Sequence, residues 1–186
     1  KLLSGSWVLG SEKKLPHWSE VHTIAFDFDG VFTDNKVWVD QNGKETVRCD
    51  RADGLAFDFL REFILKKKWS LDFFILSKEV NSVVRARGDK IGVRVEQGIT
   101  DKGLFIRDYF AKRFPNQDNA YAGFLYLGND LNDLPLMISS GFSIAPGDSH
   151  PLIKQHADLV LPQLGGDGFV RHFIEDLLQL RNLDVK

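Results

Sequence analysis

Cysteine is almost absent. Cys49 stands alone among 186 residues, which excludes an internal disulfide framework and a cysteine-based zinc site. An excess of charge of one sign is missing too. Lys and Arg number 24 against 26 Asp and Glu, for a net charge of −2, which argues against nucleic-acid binding through a basic surface. No apolar run approaches the roughly 18 residues that span a bilayer. The apolar stretch within KLLSGSWVLG at the start is too short for a secretory signal. No P-loop and no Gly-x-Gly-x-x-Gly occurs, so no nucleotide cofactor is expected. The five histidines show no metal-ligand spacing. These absences leave a protein of a reducing, cytoplasmic setting, with neither membrane nor nucleic acid as partner. What is present is a core: 43% hydrophobic residues, with 15 Phe, 4 Trp and 3 Tyr, in a length that suits one domain.

Residues 1–20 carry Gly5, Gly10 and Pro16 without a period. They read as a leader or the end of a linker from something upstream, with one domain over 21–186. From His22 the pattern sharpens. Short apolar runs at 22–28, 71–76, 92–95, 123–127, 142–145 and 158–161 read as buried strands. Helical spacing predicts helices over 53–68, 79–88, 131–139, 149–156 and 169–180, and one from a Thr100 cap to Arg113. Residues 36–50 hold two alternating segments around Asn42-Gly43, a hairpin signal. Such strand–helix alternation predicts an α/β fold with a doubly wound parallel sheet, whose ligand lies beyond the carboxyl ends of the strands.

Four of those strand ends carry chemistry. The first ends in Asp27-Phe28-Asp29-Gly30, two like charges around one small volume, which want a metal ion, a bound proton or both. A plain Asp- and Gly-rich turn is the bland alternative. The second ends in Ser77, an N-cap or a hydroxyl for a phosphate oxygen. After the third, Lys102 falls in a first helical turn that disfavours cations, so it is either solvated or paired with an anion. The fourth ends in Gly128-Asn129-Asp130-Leu131-Asn132-Asp133, where Asp130 falls level with Asp27 and Asp29. All-oxygen ligands suit a hard cation, magnesium first.

In this order and spacing the chain resembles the haloacid dehalogenase (HAD) superfamily of phosphatases. DFDGVFTD (27–34) matches the first motif, Ser77 the second, Lys102 the third and GNDLND (128–133) the fourth. The likeness covers about 21–180 and implies a Rossmann-like HAD sheet. Between the first two motifs there is room only for the hairpin and one helix, which implies a β-hairpin flap and no cap domain. The capless subclass includes 3-deoxy-octulosonate 8-phosphate phosphatases, and its tail motif is matched by Gly165-Gly166-Asp167-Gly168-Phe169-Val170-Arg171, followed by His172 where the family has Glu.

The resemblance implies roles. Asp27 is the nucleophile and forms an aspartyl-phosphate, and Asp29 is the general acid and base. Magnesium is held by Asp27, the Asp29 carbonyl and Asp130. Lys102 and Ser77 hold the phosphate, and Asp133 orients Lys102. Gly30, Thr33, Lys78, Asn129 and Arg171 join the candidate phosphate or substrate contacts. Ser77-Lys78-Glu79, with Arg87 and Lys90, is closer to the branch acting on nine-carbon nonulosonate (sialic-acid-type) 9-phosphates than to the eight-carbon branch. The 3-deoxy-manno-octulosonate 8-phosphate is the alternative substrate. Arg87, ten residues beyond Ser77 on an apolar helix face, is either a snorkelling charge at the rim of that face or a carboxylate reader for a neighbouring subunit, and the resemblance implies a homotetramer. Related domains also occur fused to sugar-acid cytidylyltransferases as non-catalytic oligomerisation modules, a reading that the retained Asp29, Lys102 and Asp130 oppose.

Overall fold

The structure is a computed structural model, and residues 14–180 are described. The expected leader therefore lies mostly outside the described residues. Its last part, Trp18–Glu20, is a 3-10 turn capped by His17. Trp18 packs edge-on against Phe63 and Trp69, with ring centroids 5.3 and 5.5 Å away.

Fourteen further elements follow among the described residues: β1 (Thr23–Phe26), β2 (Trp38–Val39), β3 (Glu45–Thr46), α1 (Arg51–Lys67), β4 (Asp72–Leu76), α2 (Ser82–Ile91), β5 (Arg94–Glu96), α3 (Lys102–Arg113), β6 (Phe124–Leu127), α4 (Leu134–Ser139), β7 (Phe142–Ala145), α5 (Pro151–His156), β8 (Leu159–Val160) and α6 (Phe169–Leu177). The six long-range strands form one parallel sheet in the order β5-β4-β1-β6-β7-β8. β2 and β3 pair antiparallel as a separate hairpin. Between β1 and β4 there is only this hairpin and α1, so no cap domain is inserted there.

Continuous apolar strands are what a sheet covered on both faces requires. In β1, Ile24 and Phe26 face one core with α1 and α6, where Phe26 meets Phe57 and Phe173. Ala25 faces the other core, which holds Ile106 and Phe110 of α3 and Leu136 and Met137 of α4. No helix of the described residues is long and apolar enough to cross a membrane.

The helix starts differ from the sequence reading for local reasons. α1 begins at Arg51 because Asp50 caps it, accepting from Ala52 N–H at 2.8 Å. α2 begins at Ser82 rather than at 79, because Asn81 caps it and residues 78–80 are tied by other hydrogen bonds. Ser77 Oγ accepts from Glu79 N–H, and the Glu79 carbonyl accepts from Gly98 N–H at 3.0 Å. α3 is capped by Asp101 and not by Thr100.

Candidate active site

β1 and β6 run side by side, with Phe26 opposite Leu127, and the pairing continues one residue further as Asp27 N–H donates to the Leu127 carbonyl at 2.8 Å. The first and fourth strand-end motifs therefore emerge together. Gly30 turns the chain away from β1 in a left-handed conformation, φ 75°. A side chain there is also excluded by space, since a Cβ would come within 1.9 Å of the Asn129 amide nitrogen.

Lys102, at the first position of α3, is 4% exposed. Its Nζ donates to Asp27 Oδ1 and Asp133 Oδ1, both at 2.7 Å, and to Tyr126 Oη at 3.0 Å. This answers why a lysine tolerates the positive end of a helix: two carboxylates face it. Burial pulls the Lys102 ammonium down, but the charges of Asp27 and Asp133 outweigh it, and the net shift is upward. Asp133 is fully buried. Its Oδ2 accepts the backbone N–H groups of Asn129 at 3.0 Å and Asp130 at 3.3 Å, which fixes the loop after β6.

Asp27 is 5% exposed. Burial first, then repulsion from Asp133, raises its carboxyl well above the usual carboxylate range, against the pull of Lys102. Asp29 is half-buried at the mouth. Burial, then the nearby Glu79 charge, raises it, and a hydrogen bond with the Thr33 side chain opposes the shift.

Asp27, Asp29, Ser77, Lys78, Glu79 and Asp130 line one cavity of about 270 Å³, together with Asn129. Lys102 and Asp133 lie buried beside Asp27. The other candidates lie apart. Thr33 is fully buried, and its Oγ1 accepts the N–H groups of Gly30 at 3.1 Å and Asn35 at 3.2 Å, so it shapes the loop. Arg87 and Lys90 line a different groove of about 780 Å³ between α1 and α2, with Arg51 and Arg61. There Arg87 Nη2 donates to the Asp50 carbonyl at 2.6 Å. Arg171 pairs with Glu175, one turn on, and stacks over Phe59, away from the acidic cavity. Its tail segment nonetheless reaches the site through backbone: Gly166 N–H donates to the Val31 carbonyl at 3.1 Å.

The donor set suits a hard cation. Among the described residues no three His, Cys, Asp or Glu side chains converge on one cation position. Two carboxylates, Asp27 and Asp130, supplemented by main-chain and amide oxygens, are compatible with that. Asn129 Oδ1 is buried and has no hydrogen-bond partner, and its residue lines the same cavity. A buried amide oxygen without a donor, on a residue that lines the cavity with Asp27 and Asp130, fits the all-oxygen ligand set of a magnesium-type cation.

Sequence reasoning missed Tyr126, because a tyrosine within FLYL reads as core. The signal was there: a phenol on a buried strand needs a polar partner. It also missed Glu45 of the hairpin, whose Oε2 accepts from Asn81 Nδ2 at 2.6 Å and ties the flap to the α2 cap.

A parallel α/β sheet whose two central strand ends hold an aspartate pair and an acidic loop, with a buried lysine reaching them from the start of α3, defines a hydrolase of phosphoryl-transfer type. No family model matches the chain. A protein of Streptomyces avermitilis MA-4680 assigned to the HAD family of hydrolases has 34% identity to it and a TM-score of 0.80. The match covers 92% of this chain and 94% of that one. The chain belongs to the HAD family of hydrolases. It is also similar to the 3-deoxy-D-manno-octulosonate 8-phosphate phosphatase of Salmonella typhi, at 29% identity over 159 residues, 85% of this chain and 79% of that protein. The cobalt-bound deoxy-D-mannose-octulosonate 8-phosphate phosphatase of Haemophilus influenzae has 26% identity and a TM-score of 0.74, covering 87% of this chain and 90% of that one. Within the family the chain is a phosphatase without a cap domain.

Proposed function

We propose that this chain is a magnesium-dependent phosphatase that hydrolyses the phosphomonoester of a 2-keto-3-deoxy sugar acid, preferably a nonulosonate 9-phosphate. The observation that carries the reading is the placement of Asp27 between Lys102, 2.7 Å from its Oδ1, and an open cavity bordered by Asp29, Ser77 and Asp130. An Asp27 oxygen, ionised against the Lys102 ammonium 2.7 Å away, attacks phosphorus in line. The ester P–O bond breaks, and Asp29 gives its proton to the departing sugar oxygen. The raised Asp29 carboxyl favours that protonated form. In the second half Asp29 takes a proton from water, the water oxygen attacks phosphorus, and the bond to Asp27 breaks. Lys102 holds charge against Asp27 throughout, and the hydroxyl of Ser77, which borders the cavity, contacts the phosphate. A divalent cation held by Asp27, Asp130 and main-chain and amide oxygens would neutralise the phosphate as it meets two aspartates. The cobalt-bound relative supports a divalent metal.

The nine-carbon preference rests on Glu79, which borders the cavity and can accept hydrogen bonds from sugar hydroxyls. The octulosonate 8-phosphate is the second reading, favoured by the names of the relatives. Arg87 and Lys90 would read the substrate carboxylate of a neighbouring subunit within a homotetramer, since they lie outside the acidic cavity of their own chain. A cytidylyltransferase, fused or partnered, would use the product. The test is phosphate release with magnesium across eight- and nine-carbon 2-keto-3-deoxy acid phosphates. Highest kcat/KM on a nonulosonate 9-phosphate supports the preferred substrate. Highest kcat/KM on the octulosonate ester selects the second reading, and no turnover of either refutes both.

A further inference from the structure

We propose that Tyr126 is a positioning residue for phosphoryl transfer, acting through Lys102; this rests on the reading of Asp27 and Lys102 given above. Tyr126 is wholly buried in β6, two residues before the acidic loop. Its packing partners are aromatic and aliphatic, with Phe124 at 6.1 Å between centroids, and a phenylalanine would satisfy them equally. The hydroxyl does something else. It donates to Asp133 Oδ1 at 2.6 Å and accepts from Lys102 Nζ at 3.0 Å.

The ammonium of Lys102 has three N–H donors and three acceptors within reach: Asp27 Oδ1, Asp133 Oδ1 and Tyr126 Oη. Two carboxylate contacts alone define an axis, about which an ammonium on a four-carbon stem can swing. The third contact removes that freedom. Because the phenol hydrogen is spent on Asp133, a lone pair of Tyr126 faces Lys102. The tyrosine thus orients both the lysine and the carboxylate that faces it. The charge on Lys102 is then fixed against the oxygen that attacks phosphorus, before substrate arrives. Such preorganisation acts on kcat more than on KM.

The variant is Tyr126→Phe, which keeps ring and packing. Its kcat on p-nitrophenyl phosphate should fall about tenfold, with KM nearly unchanged, as expected for a hydrogen bond to a charged group used in the transition state. Orthovanadate, which adopts the five-coordinate geometry of the reaction, is the second probe. Tyr126→Phe should weaken its binding about tenfold in the native background. It should add nothing in a Lys102→Met background, because the lysine through which it acts is gone. Equal weakening in both backgrounds, which a general loosening of the fold would give, overturns the proposal. So does native kcat in Tyr126→Phe. Site-specific 3-fluorotyrosine at 126 keeps the shape and weakens the oxygen as an acceptor, and so covers a Phe variant that does not fold. Its kcat should fall, and an unchanged kcat overturns the role. A wild-type protein that neither turns over phosphate esters nor binds vanadate refutes the phosphatase reading itself and this role with it. Normal wild-type turnover beside an indifferent Tyr126→Phe refutes the tyrosine's role alone.

Discussion

Gly165 lies directly on the backbone of Gly30. A Cβ added at Gly165 would stand 2.0 Å from the Gly30 carbonyl oxygen and 2.9 Å from that of Thr33. The obstructing atoms are main chain of the loop that follows Asp27, so neither side can yield by turning a rotamer. Gly165→Ala should therefore displace the 30–34 loop. We expect a loss of about 1–3 kcal/mol in urea unfolding, the scale of an overpacked core site, together with a fall in kcat. Native stability and kcat in that variant would show that the contact is unimportant.

Asp27→Asn tests the nucleophile. The amide is of nearly equal size and can still meet Lys102, so the fold should persist by circular dichroism. Turnover should drop by at least about a thousandfold, because an amide does not attack phosphorus usefully. Substantial activity, with deamidation excluded by mass spectrometry, would rule out an aspartyl-phosphate.

Metal removal is the third test. Asp27 and Asp130 border the cavity with Asp29 and Glu79, a concentration of negative charge that repels phosphate. Treatment with a chelator should abolish turnover, and magnesium should restore it. Undiminished activity in metal-free protein would contradict the proposed site.

Asp53 gives a pH dependence. It is fully buried at the start of α1; its Oδ1 accepts the Arg171 N–H at 2.9 Å, and its Oδ2 has no partner. Burial, against the opposing Arg171 hydrogen bond, pushes its carboxyl up from 3.8 to about 7. A native value above the unfolded one means that the folded state binds more protons between those limits. Asp53 therefore removes stability as pH rises from about 4 to 7. Asp53→Asn keeps the acceptor for Arg171 and carries no charge. Urea unfolding at pH 5 and pH 8 should show wild type losing more stability than the variant, by on the order of 1–4 kcal/mol. Parallel losses in the two proteins would refute the assignment.

Arg87→Ala tests the carboxylate reading. Loss of a charge-assisted contact should lower kcat/KM on a keto-acid phosphate by about tenfold to a hundredfold. Hydrolysis of p-nitrophenyl phosphate, which has no carboxylate, should hardly change. An equal effect on both esters, or a fully active monomer by sedimentation, would leave the trans contact without support.

Much of the architecture was legible in the sequence because buried parallel strands announce themselves as short apolar runs between helical patterns. FSIA at 142–145 is the plainest case, all four residues buried. The strand-end acids were legible for the same reason, since a polar cluster stands out where an apolar run stops. Helix starts were less legible. Residues 79–81 read as the start of a helix, but the Asn81 cap and the Glu79–Gly98 hydrogen bond keep them outside it. Tyr126 and Asp53 were hidden for a further reason. Their significance lies in partners 24 and 118 residues away in sequence, Lys102 for the one and Arg171 for the other, which no local window connects.

The hydrogen bond from Asp27 N–H to the Leu127 carbonyl makes the amide of Asp27 a further rung of the β1–β6 ladder. Its distance from the loop that carries Asp130 and Asp133 is thus set by strand register together with the Lys102 bridge between Asp27 and Asp133. Register moves in whole residues, and a slip of one would reverse every side chain of β1 between the two cores. Core substitutions that leave this register and the contacts among Tyr126, Lys102 and Asp133 intact should therefore lower the melting temperature without moving Asp27 relative to Asp130.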